Sequence, residues 1–170
     1  MGNEQKLLGH KILSLFGEPD AGKTQIAIRL AVFSGKPIVY VDCAHALSER
    51  DLACANVQLG YPFVRLRPEH IDEASDMVLR CISEITDGIV IIDPLSALRP
   101  VDYEIGGRNG VLRQQMAFVS RLLPIIFTTT TELIIVDHLF RSNTPPVASL
   151  FADFSHHVVI EDLGVSRHSV

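Results

Sequence analysis

The sequence predicts an α/β fold, an open and mostly parallel sheet with helices on both faces. Three observations carry that expectation. First, short apolar runs recur along the chain and stay apolar from one residue to the next: Lys11-Ile12-Leu13-Ser14-Leu15-Phe16, Pro37-Ile38-Val39-Tyr40-Val41, Gly88-Ile89-Val90-Ile91-Ile92-Asp93 and Leu133-Ile134-Ile135-Val136-Asp137. Strands without polar alternation belong to a sheet covered on both sides. Second, segments with helical spacing separate these runs, which implies parallel pairing through right-handed crossovers. Third, the chain has 170 residues and is 47% hydrophobic, enough for one domain over 1–170 with a packed core.

The elements follow in order. Residues 11–16 form the first strand, and Gln25–Val32 the helix after it. The second strand, 37–41, is entered through Ser34-Gly35-Lys36. Ser48 is an N-cap candidate for a helix to about Leu59, which Gly60 would end. Phe63–Leu66 is a short strand. Ile71, Ala74, Val78, Ile82 and Ile85 recur at helical spacing, so 71–86 is an amphipathic helix. Strand 88–93 precedes a helix over 111–123, with Leu112, Met116, Val119 and Leu123 on one face and Pro124 as its stop. Strand 133–137, a polar loop containing Asn143-Thr144-Pro145-Pro146, and a strand over 157–160 complete the chain. In such a sheet the ligand site lies at the carboxyl ends of the strands.

Between the first strand and the first helix stands Gly17-Glu18-Pro19-Asp20-Ala21-Gly22-Lys23-Thr24. It fits G-x-x-x-x-G-K-[ST], the phosphate-binding loop of nucleotide triphosphatases. Gly17 and Gly22 let the backbone curl so that several N–H groups face one anion. Lys23 aims a positive charge at the outer phosphates. The Thr24 hydroxyl is a Mg²⁺ ligand candidate. The following helix sets its positive end against the same charge. The candidate nucleotide-binding residues are therefore Gly17, Glu18, Pro19, Asp20, Ala21, Gly22, Lys23, Thr24 and Gln25, with ATP and Mg²⁺ as the expected ligands.

Asp93 closes an apolar strand about seventy residues further on. A carboxylate on a rigid strand end beside such a loop is what organises Mg²⁺. An Asp capping the next turn is the other reading. His138 also follows a central strand, where it could touch the terminal phosphate or simply hydrogen-bond the strand end. His156-His157 has no ligand partners at metal spacing and reads as strand alternation.

Composition limits the rest. Net charge is −5 with four lysines, which argues against general nucleic-acid affinity and leaves only a local patch for any DNA contact. No apolar run reaches the ~18 residues of a membrane span. The start, Met1-Gly2-Asn3-Glu4-Gln5-Lys6, lacks a signal-peptide core, and Lys6 replaces the Ser or Thr of a myristoylation signal. Cys43, Cys54 and Cys81 have no C-x-x-C pairing and suit reduced residues of a cytoplasmic protein.

Five blocks together resemble the ATPase core of the RecA family of DNA strand-exchange proteins. They are 17–24, Tyr40-Val41-Asp42-Cys43-Ala44-His45-Ala46-Leu47, Ile89 through Leu98, Glu104-Ile105-Gly106, and Ile135-Val136-Asp137-His138. They fall in family order over roughly 11–161, and block 40–47 is the most diagnostic because generic P-loop proteins do not share it. The resemblance implies a RecA-like P-loop NTPase acting in DNA recombination or repair. It implies catalytic roles for Lys23, Asp93 and His138, with Thr24 and Asp93 as metal ligands. His138 stands where the family usually has a Gln that senses the γ-phosphate. Residues 102–110, with Arg108, would correspond to the first DNA-binding loop, and 139–147, with Arg141 and Asn143, to the second. Single-stranded DNA, further copies of the chain, or a RecA-like protein partner are the partners this implies.

The departures from the family are specific. Ala44 stands where the family has the Glu that activates water, and an Ala can neither take a proton nor orient a water. Asp42 and Glu49 are the nearby candidates to replace it. Ser48 and Asp51 stand where bacterial members carry adenine-contacting residues. Only 16 residues precede Gly17, without a visible element for docking a neighbouring protomer, and the chain ends soon after Glu161. Two readings follow: a minimal recombination protein that binds ATP and DNA and hydrolyses weakly or with a partner, or an accessory subunit that binds nucleotide and a protein partner instead of DNA. Another P-loop ATPase, such as a helicase-type core, fits block 40–47 less well. An intact loop at 17–24 also weighs against a degenerate paralogue that binds nothing.

Overall fold

In the computed structural model, residues 11–49, 62–85, 87–101, 103–138 and 156–160 are described, with the backbone alone over 103–108 and 156–160. Six strands form one sheet: β1 (Ile12–Gly17), β2 (Ile38–Asp42), β3 (Phe63–Leu66), β4 (Ile89–Asp93), β5 (Glu132–His138) and β6 (His156–Ile160). Their order across the sheet is β3-β2-β4-β5-β1-β6. Every pairing is parallel. The strands therefore all end on one edge. In register, Gly17 lies opposite His138 and Asp42 opposite Asp93.

Among the described residues three helices cover the sheet: α1 (Lys23–Ser34), α2 (Ile71–Glu84) and α3 (Tyr103–Thr128). Period-two alternation explains why the strands are apolar throughout. Along β4, Ile89 and Ile91 face α1, whose Ala27, Leu30 and Ala31 share their cluster. Val90 and Ile92 face the other way, packing with Ile71, Val78 and Ile82 of α2 and Val119, Leu122 and Ile126 of α3. Helices thus lie on both faces, as the sequence predicts. No helix among the described residues is long and apolar enough to cross a membrane.

Two expectations fail in α3. It runs through Pro124 to Thr128. An interior proline costs about 3 kcal/mol in a helix, but Leu122 and Ile126 on either side are fully buried, and their packing carries the helix across. The ladder continues beyond it, with Thr129 N–H donating to Ile125 O at 3.0 Å. At the other end, residues 103–110 are the opening turns of α3 and not a loop. Gly106, Gly107 and Gly110 weaken helix propensity there and hide the helix from a sequence reading. The helix expected over 71–86 ends at Glu84. Residues 139–147, expected as a second DNA-binding loop with Arg141 and Asn143, lie outside the described residues, as does nearly all of the helix expected from Ser48. The side chain of Arg108 is likewise outside them.

α3 also supports the site edge. The buried Gln115 donates from Nε2 to Leu95 O (3.2 Å) and Leu98 O (2.9 Å), fixing the single 3-10 turn, Leu95–Ala97, that follows Asp93.

Candidate nucleotide site

β1 ends at Gly17, and the chain turns through 18–22 into α1. Ala21 N–H closes the turn on Glu18 O at 3.3 Å. Asp20 and Gly22 both adopt left-handed backbone, with φ of 63° and 82°. At Gly22 a Cβ would meet nothing within 4 Å, so the conformation calls for glycine and the space does not. Gly22 is the N-cap of α1, has no side-chain cap, and is followed by no acidic residue in the first turn. The leading amides of α1 therefore remain free of side-chain caps at the positive end of the helix dipole.

These residues border a cleft of about 390 Å³ at the carboxyl edge of the sheet. Pro19, Asp20, Gly22, Lys23, Thr24 and Gln25 form one wall, Tyr40, Asp42, Ala44, Ala46 and Leu47 another, and Asp93, Pro94 and His138 complete it. All three residues with expected catalytic roles, and both expected metal ligands, are thus brought together.

Lys23 is only 4% exposed. Its Nζ donates to Gly17 O at 3.0 Å and to Glu18 O at 2.5 Å. Burial lowers its pKa, against the opposing pull of Asp93, Asp137 and Asp20. The ammonium therefore braces the loop from within, and an anion reaching it competes with two backbone carbonyls.

Asp93 is buried, and one of its oxygens, Oδ2, accepts a hydrogen bond from the Tyr40 hydroxyl at 2.7 Å. Burial, and then the Asp93 charge, push the Tyr40 phenol far above its ordinary value, so it stays a donor. Thr24 and Asp93 are hard oxygen donors on one cleft, which suits Mg²⁺. Among the described residues no group of three or more His, Cys, Asp or Glu could hold a metal alone. Mg²⁺ in nucleotide sites relies on one or two protein oxygens, with phosphates and waters supplying the rest.

The wall at 43–47 is built on Asp42. Its carboxylate accepts from Ala46 N–H (3.0 Å), Leu47 N–H (3.4 Å), and Arg65 Nε (3.0 Å) and Nη2 (2.5 Å). Arg65 also donates to Leu47 O, and His45 Nε2 reaches Pro68 O at 3.2 Å. Glu49 is 86% exposed and lies 3.5 Å from Arg65 and 4.0 Å from Arg67. Both candidates to replace the Glu missing at Ala44 are therefore paired with arginine, and Ala44 itself lines the cleft.

On the opposite side, Asp137 is buried and accepts from His138 N–H at 2.8 Å. Burial raises its carboxyl pKa, while hydrogen bonds from Ser96 and His138 act the other way. His138 Nδ1 is buried with no hydrogen-bond partner among the described residues. The side chains missed by the sequence reading are Tyr40, Arg65, Ser96 and Asp137. Three of them carried a signal: a hydroxyl in an apolar strand, a cation in the four-residue strand 63–66, and a second carboxylate at a strand end.

No protein-family model matches the chain, and no curated protein matches it significantly.

Proposed function

We propose that the chain is a RecA-like ATP-binding protein of DNA recombination or repair, which takes ATP with Mg²⁺ and single-stranded DNA and hydrolyses ATP weakly or only with a partner. One observation carries the nucleotide part: the start of α1, Lys23, Thr24 and Asp93 share one cleft at the carboxyl edge of a parallel sheet. The RecA part rests on the sequence resemblance. Blocks 40–47, 89–98 and 135–138, which carry it, each contribute residues to that cleft.

In this reading the amides opening α1 and the Lys23 ammonium hold the phosphates, and Lys23 exchanges the carbonyls of Gly17 and Glu18 for phosphate oxygens. Thr24 and Asp93 would hold Mg²⁺, which neutralises polyphosphate charge and bridges the outer phosphates. His138, in register with Gly17 across β1 and β5, touches the terminal phosphate. The test is binding of a fluorescent ATP analogue with Mg²⁺ to the protein and to Lys23→Ala. Binding lost with the fold intact is expected, and unchanged affinity overturns the assignment.

A second reading, an accessory subunit that binds nucleotide and a protein partner, is favoured by the wall at 43–47. Ala44 offers no proton acceptor, and Asp42 and Glu49 are engaged by Arg65. Sedimentation with ATP and Mg²⁺, with and without single-stranded DNA, separates the two. Large DNA-dependent assemblies support the recombination protein; a small species indifferent to DNA supports the accessory subunit.

A further inference from the structure

We propose that Tyr40 is a positioning residue for Asp93, and that its hydroxyl sets how tightly the cleft takes a divalent cation together with a nucleotide. The inference rests on the nucleotide reading and deepens it. Tyr40 pairs in register with Ile91. Residues two apart on a strand share a face, so Asp93 stands next along β4 on the face of the Tyr40 ring. The ring is 2% exposed and stacks on Phe63, with centroids 6.0 Å apart and planes 22° from parallel. It therefore holds its hydroxyl at a fixed point, 2.7 Å from Asp93 Oδ2.

A terminal carboxylate torsion is broad and roughly two-fold. A donor on one oxygen narrows it and leaves the other oxygen presented to a ligand. Hydrogen-bond partners of metal-binding carboxylates tune affinity in this way. Packing does not call for the hydroxyl, because a Phe ring would fill the same apolar layer between Ile38 and Ile91. The oxygen is placed on Asp93, the strand-end carboxylate of the cleft that would hold the cation with Thr24.

The test is Tyr40→Phe, read as binding of the fluorescent ATP analogue across a Mg²⁺ titration and again in EDTA, with Mn²⁺ binding followed directly by electron paramagnetic resonance. The Mg²⁺ midpoint is expected to rise about tenfold, with weaker Mn²⁺ binding and unchanged affinity in EDTA. A wild-type midpoint overturns the inference. An equal loss with and without Mg²⁺ also overturns it, by assigning the hydroxyl a purely structural role. Asp93→Glu keeps the charge but carries the carboxylate past the hydroxyl, and the same rise is expected there. A wild-type midpoint in that variant overturns the inference even if Tyr40→Phe does not fold. If the unaltered protein binds no nucleotide, the nucleotide reading itself falls and takes this inference with it. Mg²⁺-dependent binding in the unaltered protein with no shift in the variants removes this inference alone.

Discussion

The Arg65 guanidinium grips Asp42 across the β2–β3 pair, with Nε and Nη2 both on Oδ2 at 3.0 and 2.5 Å. The pair is nearly out of water: the Arg65 side chain is 10% exposed and that of Asp42 is 2%. Removing one partner of such a pair leaves an uncompensated buried charge, which costs about 3–5 kcal/mol. Arg65→Ala is therefore expected to lower stability by about 3 kcal/mol in a urea titration, through the midpoint and not the slope. A loss below about 1 kcal/mol would mean that Arg67, 3.8 Å from the same carboxylate, takes over.

Ala44→Glu tests the missing base. Block 40–47 places this position on the cleft wall. A placed general base contributes about 10²–10⁴-fold, so a rise in steady-state ATP hydrolysis toward 10²-fold is expected. A flat rate means that base strength does not limit turnover, or that another residue already supplies it.

Pro124→Ala tests the cost of the proline inside α3. Pro124 is exposed, so little packing is lost. The substitution restores an N–H for the carbonyl of Ser120, one turn earlier, and relieves a clash. A gain of about 1–3 kcal/mol in chemical denaturation is expected. Destabilisation would show instead that the helix needs its local bend.

Asp137 gives a pH prediction. Burial raises its carboxyl pKa in the folded protein, against about 3.9 when unfolded. Between those two values the native state binds more protons than the unfolded state, so this group's contribution to stability falls as pH rises. Asp137→Asn removes the titration while keeping an acceptor for Ser96 or the His138 N–H. Its stability profile is expected to lose that downward component as pH rises above about 3.9, relative to the unaltered protein. Parallel profiles would refute it.

The sheet was legible because burial on both faces writes itself into composition: β1, β2, β4 and β5 are apolar at successive positions. The loop at 17–22 was legible because left-handed backbone at Gly22 restricts the residue types it accepts. α3 was misjudged at both ends, since glycines and a proline speak for local preference while tertiary packing decides. The engagement of Asp42 was not legible for a different reason. Its identity is compatible with a base, and only Arg65, a neighbour in space and 23 residues away in sequence, shows that the carboxylate is engaged. Tyr40 and Asp93 escaped pairing in the same way, being 53 residues apart.

The clasp on Asp42 also gives the cleft a stiff side and a yielding side. The segment at 43–47 is shaped before any ligand arrives, so a guest need not order it. Lys23, in contrast, commits two of its three ammonium donors to Gly17 and Glu18, so an anion that takes more than the third draws on the loop's own bonds. Any rearrangement of the loop therefore starts at the end of β1, where Gly17 is in register with His138 on β5, and not at 43–47.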